Sequence, residues 1–178
     1  MNGVLLDLGH TGAGKPPALH AGMSERRIVW RYAMRAADVL DREGIEVSVA
    51  GWGRYHERQV YAARRGLVFV SCHVNAGYRH DWPVRGSIFY RTTGPSRDLA
   101  LALSGPLAAL AGGSKCWHAT PSSWPGPSAL LERVGTGVVY EPGFLDCAAH
   151  AHLWQGDGPD RLGDALASGL LAYLRGRR

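Results

Sequence analysis

Short apolar runs alternate with amphipathic helical segments along this sequence, and this order limits its fold more than any other feature. Residues 4–8 and 67–72 form largely continuous apolar runs, which are typical of strands covered on both faces. Apolar residues recur at helical spacing in residues 28–40 and 162–174. Because alternating strands and helices pack as a sheet between helices, we predict a three-layer α/β/α domain with a mostly parallel central sheet of about six strands.

The remaining elements give weaker patterns. Further strands are predicted at residues 45–50, 87–91 and 137–140, and further helices at 57–65, 99–110 and 129–133. The pair Gly105-Pro106 should kink or divide the helix at 99–110, because proline lacks the N–H group that a helix interior needs. Residues 114–128, which are rich in Pro, Ser and Trp, are predicted to be irregular.

Length and charge bound the class of protein. The 178 residues, 46% of them hydrophobic, show no change of composition that would mark a second domain, so we expect one domain over residues 1–178. The formal net charge of +5 favours anionic partners such as nucleic acid, phospholipid surfaces or acidic polymers, without choosing among them. The scattered cysteines Cys72, Cys116 and Cys147 are expected to be reduced. Since neither a signal peptide nor a membrane-length apolar run is visible, the sequence predicts synthesis in the cytoplasm.

Ionisable residues stand at the ends of several predicted elements. His10, His73 and Glu141 each come at the C-terminal end of a strand, and Glu25 heads the buried stripe of a helix that Ser24 is predicted to cap. Taken singly, Glu25 could complement the helix dipole and His73 could be a structural histidine. Because ligands of open α/β sheets bind at the carboxyl ends of strands, we expect one shared site. Two imidazoles and one carboxylate form a familiar ligand set for catalytic zinc, and a second carboxylate can act as a base.

Four segments carry a resemblance to a known family. They are Asp7-Leu8-Gly9-His10, then Gly22 with Glu25, then Val70-Ser71-Cys72-His73-Val74-Asn75, and finally Glu141-Pro142-Gly143-Phe144-Leu145. In this order and at these separations, the segments resemble the zinc-dependent N-acetylmuramoyl-L-alanine amidases of phage endolysins and bacterial autolysins. The resemblance runs from the first predicted strand to the last helix.

This resemblance implies a reaction and a role for each site residue. His10, Glu25 and His73 would bind Zn²⁺, and Glu141 would be the catalytic general base and later the acid. The reaction would be hydrolysis of the amide between N-acetylmuramic acid and L-alanine in peptidoglycan. The resemblance also implies a monomeric, endolysin-like catalytic domain that acts on the bacterial cell wall, without a separate wall-binding domain or a nucleic-acid partner. The positive charge could then hold the enzyme to anionic wall polymers.

The sequence departs from the family pattern at three points. Leu8 stands where a proline is usual, which should change the stiffness of the turn more than the chemistry. Pro142 directly follows Glu141, where it fixes φ and removes a backbone donor. The asparagine that is usual after the Gly-Phe-Leu step is absent, and Asp146 and Cys147 occupy its neighbourhood. All three departures leave the four site residues in place.

Several neighbouring residues have two interpretations each. Asp7 either orients His10 or is a buried carboxylate satisfied by loop amides. Arg58 matches an arginine that the family places before the histidine strand, where we expect a structural ion pair. Three tryptophans either stack on sugar rings at a groove edge or lie partly buried under a loop: Trp82, Trp117 and Trp124.

Two other functions compete with the amidase. Residues 9–15, Gly-His-Thr-Gly-Ala-Gly-Lys, follow a strand and match most of a phosphate-binding P-loop. However, Pro16 stands where a P-loop needs Ser or Thr, and no helical pattern begins there. The other competitor is a non-catalytic wall-binding module of the same fold, which would need neither Glu141 nor all three metal ligands. The presence of all four residues favours the enzyme.

Overall fold

A computed structural model of the protein describes residues 3–10, 19–20 and 22–176. The strands within these ranges are β1 (Gly3–Leu8), β2 (Leu19–His20), β3 (Met23–Ser24), β4 (Glu46–Ala50), β5 (Val68–Cys72), β6 (Gly86–Tyr90), β7 (Ser114–His118) and β8 (Gly137–Glu141). The helices are α1 (Glu25–Arg42), α2 (Tyr55–Arg65), α3 (Pro95–Ala111), α4 (Pro125–Ala129), α5 (Ala151–Trp154) and α6 (Gly158–Arg175). A 3₁₀ turn, Ala148–His150, precedes α5. The P-loop-like residues 11–15 lie outside the described ranges.

The central sheet has six strands in the order β4-β1-β5-β8-β6-β7. Every neighbouring pair is parallel except β6 and β8, which are antiparallel. Parallel neighbours need crossover connections, and the intervening helices supply them, as α1 does between β1 and β4. The predicted three-layer domain with a mostly parallel sheet of six strands is therefore confirmed. The remaining two strands, β2 and β3, form a separate short hairpin that leads into α1.

Alternate residues of β1 face the two outer layers. Its even-numbered residues lie in the larger core, where β1 contacts α1 and to which α3 and α6 also contribute. Leu5 packs in a smaller core on the other face, together with Ala62 of α2. Because side chains alternate along a strand, Asp7 points to the same face as Leu5. This places a buried carboxylate in the α2 layer, directly beneath the end of the sheet where β1 stops.

Helix α3 runs unbroken through Pro106, so of the two predicted outcomes, a kink or a division, the division is wrong. Leu99, Leu103 and Leu107 lie on both sides of the proline and are all buried in the larger core. Packing of this continuous apolar stripe outweighs the lost hydrogen bond of one proline, which costs about 3 kcal/mol in a helix interior.

The irregular stretch predicted for residues 114–128 is partly wrong as well. It contains β7, an edge strand that pairs only with β6 and is partly exposed along its length, so it lacks a continuous apolar run. The helix predicted at 129–133 lies earlier, at α4, where Pro125 occupies the first turn. Among the described residues, no helix combines the length and apolar character needed to cross a bilayer.

Candidate metal centre and active site

Three neighbouring parallel strands, β1, β5 and β8, bring the predicted site residues together at their carboxyl ends. His10 lies two residues beyond β1, His73 directly follows β5, and Glu141 is the last residue of β8. The backbone N–H of His73 donates to the carbonyl of Tyr140 at 3.0 Å, which fixes the two strand ends side by side. Glu25, the first residue of α1, enters from the helical layer above. The fold thus brings the four predicted residues to one edge of the sheet.

His10, Glu25 and His73 form a group whose ligand atoms all lie within 4.8 Å of one another. Glu25 Oε1 is 3.6 Å from His10 Nε2 and 3.4 Å from His73 Nδ1. Ligand atoms around a tetrahedral zinc, bound at about 2.0–2.1 Å, lie roughly 3.4 Å apart. The donor types, together with the two separations from Glu25 Oε1, therefore fit a zinc ion. The buried Glu25 carboxylate is also held in place by the backbone N–H of Val74, which donates to Oε1 at 3.0 Å.

His10, just beyond the end of β1, has an unusual backbone conformation. With φ of +53°, His10 has the only positive φ among the non-glycine residues that the structure describes. Such a conformation costs on the order of 1–3 kcal/mol and persists only where its surroundings impose it. Ser24 occupies the N-cap position of α1 as predicted, but its side chain makes no capping hydrogen bond.

Gly9 leaves the space that the His73 ring occupies. A Cβ atom at Gly9 would lie 2.5 Å from His73 Nδ1 and 2.5 Å from the backbone oxygen of Cys72. That oxygen also accepts the N–H of Gly9 at 2.9 Å, so the backbone cannot move away without losing this bond. Only glycine allows β1 and the His73 ring to approach this closely.

The electrostatics of the site favour a bound cation. Burial alone would lower the pKa of His73, but the surrounding carboxylates of Glu25, Glu141 and Asp7 raise it above its ordinary value. Burial raises the pKa of Glu141 to about 7, with the nearby His73 opposing this shift and Glu25 adding to it. A carboxyl group with a pKa near neutrality can both accept and donate a proton at physiological pH.

A hydrogen-bonded chain behind His73 sets its tautomer. Ser71 is the register partner of Asp7 in the β1–β5 pair, and its hydroxyl donates to Asp7 Oδ2 at 2.7 Å. The Ser71 oxygen is then left to accept from His73 Nε2, 3.2 Å away. A proton on Nε2 leaves the lone pair of Nδ1 on the side of Glu25, where a metal ion would lie.

Arg58 anchors this chain from α2. Its Nε lies 2.6 Å from Asp7 Oδ1, and both side chains are buried. The structural ion pair expected for Arg58 is therefore confirmed. Asp7 was predicted either to orient His10 or to be satisfied by loop amides, and both predictions are corrected. Its partners among the described residues are the side chains of Arg58 and Ser71. Asp7 therefore supports His73 through Ser71. Burial raises the pKa of Asp7, and the Arg58 guanidinium counteracts the rise.

We predict that Ser71→Ala lowers zinc affinity by about 10- to 100-fold, since the substitution removes the group that fixes the His73 tautomer. The measurement is a competition titration of zinc against a chelator. Ser96→Ala is the matched control, because Ser96 is equally buried and hydrogen-bonded to Gly137 N–H but lies at the start of α3. Equal zinc affinity in the two variants would contradict a role for Ser71 at the metal site.

Asp146 connects the loop after β8 to a second loop. Asp146 accepts the backbone N–H groups of Gly77 and Tyr78 at 2.8 Å and 3.0 Å, which ties the loop after β8 to the loop after His73. Pro142 lies just past the end of β8, so its missing N–H falls where the strand pairing of β8 has already ended.

Several solved structures share this architecture, whereas no protein-family model matches the sequence and no curated protein matches it significantly. Ami1 from Mycobacterium smegmatis, an N-acetylmuramyl-L-alanine amidase, superposes with a TM-score of 0.79 at 20% identity, over 97% of this chain and 96% of that chain. The catalytic domain of CwlV, an N-acetylmuramoyl-L-alanine amidase from Bacillus (Paenibacillus) polymyxa var. colistinus, gives 0.78 at 20% identity, over 98% and 99%. The catalytic domain of the CD27L endolysin, which targets Clostridia difficile, gives 0.72 at 16% identity, over 97% and 98%. The chain has the fold of these amidases.

The sequence patterns predicted four side chains that the fold places at one sheet edge, but they did not single out two residues beside His73. Gly9 is part of the segment that carries the resemblance, yet its role follows only from the approach of the His73 ring. Ser71 lies two residues before His73 on a strand, and this spacing, which places both on one face, was an available signal. Its pairing with Asp7 depends on the β1–β5 register, which the sequence alone does not fix.

Proposed function

We propose that this protein is a zinc-dependent N-acetylmuramoyl-L-alanine amidase that hydrolyses the amide between N-acetylmuramic acid and L-alanine in peptidoglycan. The observation that carries the proposal is the group of His10, Glu25 and His73, placed beside Glu141 at one edge of an amidase fold. We further propose a phage-type lytic role for one catalytic domain that works as a monomer. Peptidoglycan is its proposed substrate at the bacterial cell wall.

Glu141 carries the proton transfers in this mechanism. With its pKa raised by burial, the carboxylate accepts a proton from the attacking water and the resulting acid gives it to the leaving amine of L-alanine. Zinc held by His10, Glu25 and His73 would polarise the scissile carbonyl and lower the pKa of a water molecule in the site. Ser71 and Asp7 keep His73 in the tautomer that ligates through Nδ1. The backbone N–H of Val74 holds the Glu25 carboxylate in place by donating a hydrogen bond to Oε1.

The product of digestion tests this function directly. Purified peptidoglycan is incubated with the zinc-loaded protein, and the soluble products are identified by mass spectrometry. We expect free stem peptides that begin with L-alanine and glycan strands with intact lactyl groups. Cleavage within the stem peptide would make the protein a peptidase, and no cleavage at all would favour a non-catalytic wall-binding module.

The pH dependence of kcat/KM should show an acidic limb that belongs to Glu141. Because the carboxyl pKa is raised from 4.5 to about 7, the base form is lost as the pH falls, and kcat/KM should fall with it. A bound dication favours the carboxylate, so the limb should lie between 4.5 and 7 in the zinc-loaded enzyme. A rate that increases steadily from pH 7 to pH 5 would contradict Glu141 as the base.

Binding to the cell wall should weaken with added salt. The formal charge of +5 attracts acidic wall polymers, and screening shortens the range of this attraction to about 8 Å at 0.15 M salt. Lysis of whole walls should therefore slow between low salt and 0.5 M salt, as followed by turbidity. Cleavage of a small soluble muropeptide is the control and should change little. Salt-independent lysis would remove the electrostatic contribution.

A further inference from the structure

An open groove of about 420 Å³ begins beside Glu141 on the same face of the sheet. Ser87 of β6 is the register partner of Glu141, and partners in an antiparallel pair project to the same face. Ser87 and Phe89 both line the groove, as does Asn75, two residues after His73. A ligand in the groove would therefore be continuous with one at the candidate metal centre.

Two clusters of aromatic rings line this groove. The first, called here the Trp82 wall, consists of the Trp82 and Phe144 rings, whose centres lie 5.7 Å apart. In the second cluster, the Trp124 ring lies 5.1 Å from Phe89 and 5.4 Å from Trp117. Trp82 and Trp124 are 43% and 39% exposed, so each has indole surface available to a ligand. The three tryptophans that sequence analysis singled out thus come from separate loops and strands to line one groove.

The lining is almost neutral and offers a few polar groups. Arg85 is the one charged residue among the residues that line the groove in the described chain, and its guanidinium lies 5.6 Å above the Trp117 ring. Lys115 Nζ lies 3.9 Å from the centre of the same ring, so two cationic side chains pack against Trp117. The amide nitrogen of Asn75 and the hydroxyl of Ser87 have no hydrogen-bond partner in the part of the chain that the structure describes.

The Trp82 wall is held in position before any ligand arrives. Asp146 fixes the backbone of Gly77 and Tyr78, and the Tyr78 hydroxyl donates to the carbonyl of Trp82 at 3.0 Å. A wall that is already ordered loses little conformational entropy on binding. Exposed aromatic rings that hydrogen bonds already hold in place are better suited to binding a ligand than exposed rings without such support.

We propose that this groove binds the glycan strand of the substrate, with N-acetylated sugar rings against the exposed indoles of Trp82 and Trp124. A neutral sugar ring presents an apolar face that matches an aromatic ring, and its hydroxyl and acetamido groups can bond Asn75 and Ser87. The exposed indoles favour this occupant over the acidic stem peptide, for which Arg85, packed over Trp117, is the one attractive charge in the described lining. The inference rests on the proposed function for the identity of the substrate, but sugar binding itself requires neither Glu141 nor zinc.

A soluble oligomer of N-acetylglucosamine tests the groove without hydrolysis, because it contains no lactyl amide. Its affinity for the zinc-loaded protein is measured by calorimetry, with a free stem peptide as the second probe. We expect Trp82→Ala and Trp124→Ala each to weaken binding of the oligomer about tenfold. Trp30→Ala is the matched control, since Trp30 is 57% exposed on α1, away from the groove. Arg85→Gln is measured with both probes, because Arg85 is the charged lining residue that an acidic stem peptide would use.

Two results would overturn the glycan groove. One is an oligomer that does not bind, or whose affinity is the same in the Trp82→Ala, Trp124→Ala and Trp30→Ala variants. The other is binding of the stem peptide alone, lost in Arg85→Gln, which would assign the groove to the peptide half of the substrate. Failure of the proposed function is distinguishable, because a protein that binds the oligomer but releases no L-alanine amino termini would keep the groove and lose the amidase.

Discussion

Replacing Glu141 with glutamine should lower kcat by roughly 10²- to 10⁴-fold, the contribution typical of a positioned general acid–base. The amide keeps the size and most hydrogen-bonding capacity of the carboxyl group but cannot accept the proton of the attacking water. Because burial already raises the pKa of Glu141 to about 7, the folded protein should tolerate a neutral side chain there. The variant should therefore remain folded and bind zinc, with the loss confined to turnover.

The control for this experiment is Glu132→Gln, which makes the same change at an exposed carboxylate before the start of β8, at the opposite end of that strand from Glu141. Its kcat should match that of the unmodified protein. Release of L-alanine amino termini from peptidoglycan gives the rate, and thermal melting with metal analysis checks the state of each variant. Full activity in Glu141→Gln would show that another group moves the proton.

Gly9→Ala should abolish zinc binding although it alters none of the ligands. The added Cβ would stand 2.5 Å from His73 Nδ1, the atom assigned to the metal, so the ring must leave its position. We expect zinc affinity to fall by at least about 100-fold, the upper range seen when ligand positioning is lost. Overpacking against the Cys72 carbonyl should also cost about 1–3 kcal/mol of stability.

Gly105→Ala separates this local clash from the general effect of replacing glycine. A Cβ at Gly105 in α3 meets nothing within 4 Å, so alanine should leave zinc affinity unchanged and stabilise the helix by about 0.4–1 kcal/mol. Zinc affinity is measured by competition and stability by urea unfolding at fixed zinc concentration. A folded Gly9→Ala protein with unchanged zinc affinity would mean that His73 does not ligate as assigned.

Patterns with a strong period predicted most of the fold. The buried strands β1 and β5 were predicted to within one residue at each end, and the amphipathic helices α1 and α6 were predicted from the apolar faces of their central turns. Edge strand β7 was missed because it is stabilised by pairing with one neighbour and lacks an apolar run. The unbroken α3 depends on tertiary packing around Pro106, which no local propensity describes.

The candidate site shows a similar division between local and long-range information. The grouping of His10, Glu25, His73 and Glu141 could be predicted because strand ends converge on one edge of an α/β sheet. The partners of Asp7 could not, because Arg58 comes from another layer and Ser71 from a neighbouring strand. The gathering of Trp82, Trp117 and Trp124 likewise depends on the positions of loops that carry no periodic signal.

Removal and return of zinc is the most direct test of the central claim that His10, Glu25 and His73 form a catalytic metal centre. The protein is stripped with a chelator, its metal content is measured, and the release of L-alanine amino termini from peptidoglycan is followed before and after zinc is added back. We predict that release stops in the stripped protein and returns as one zinc ion per chain is bound. Undiminished release by protein that contains no metal would contradict the account.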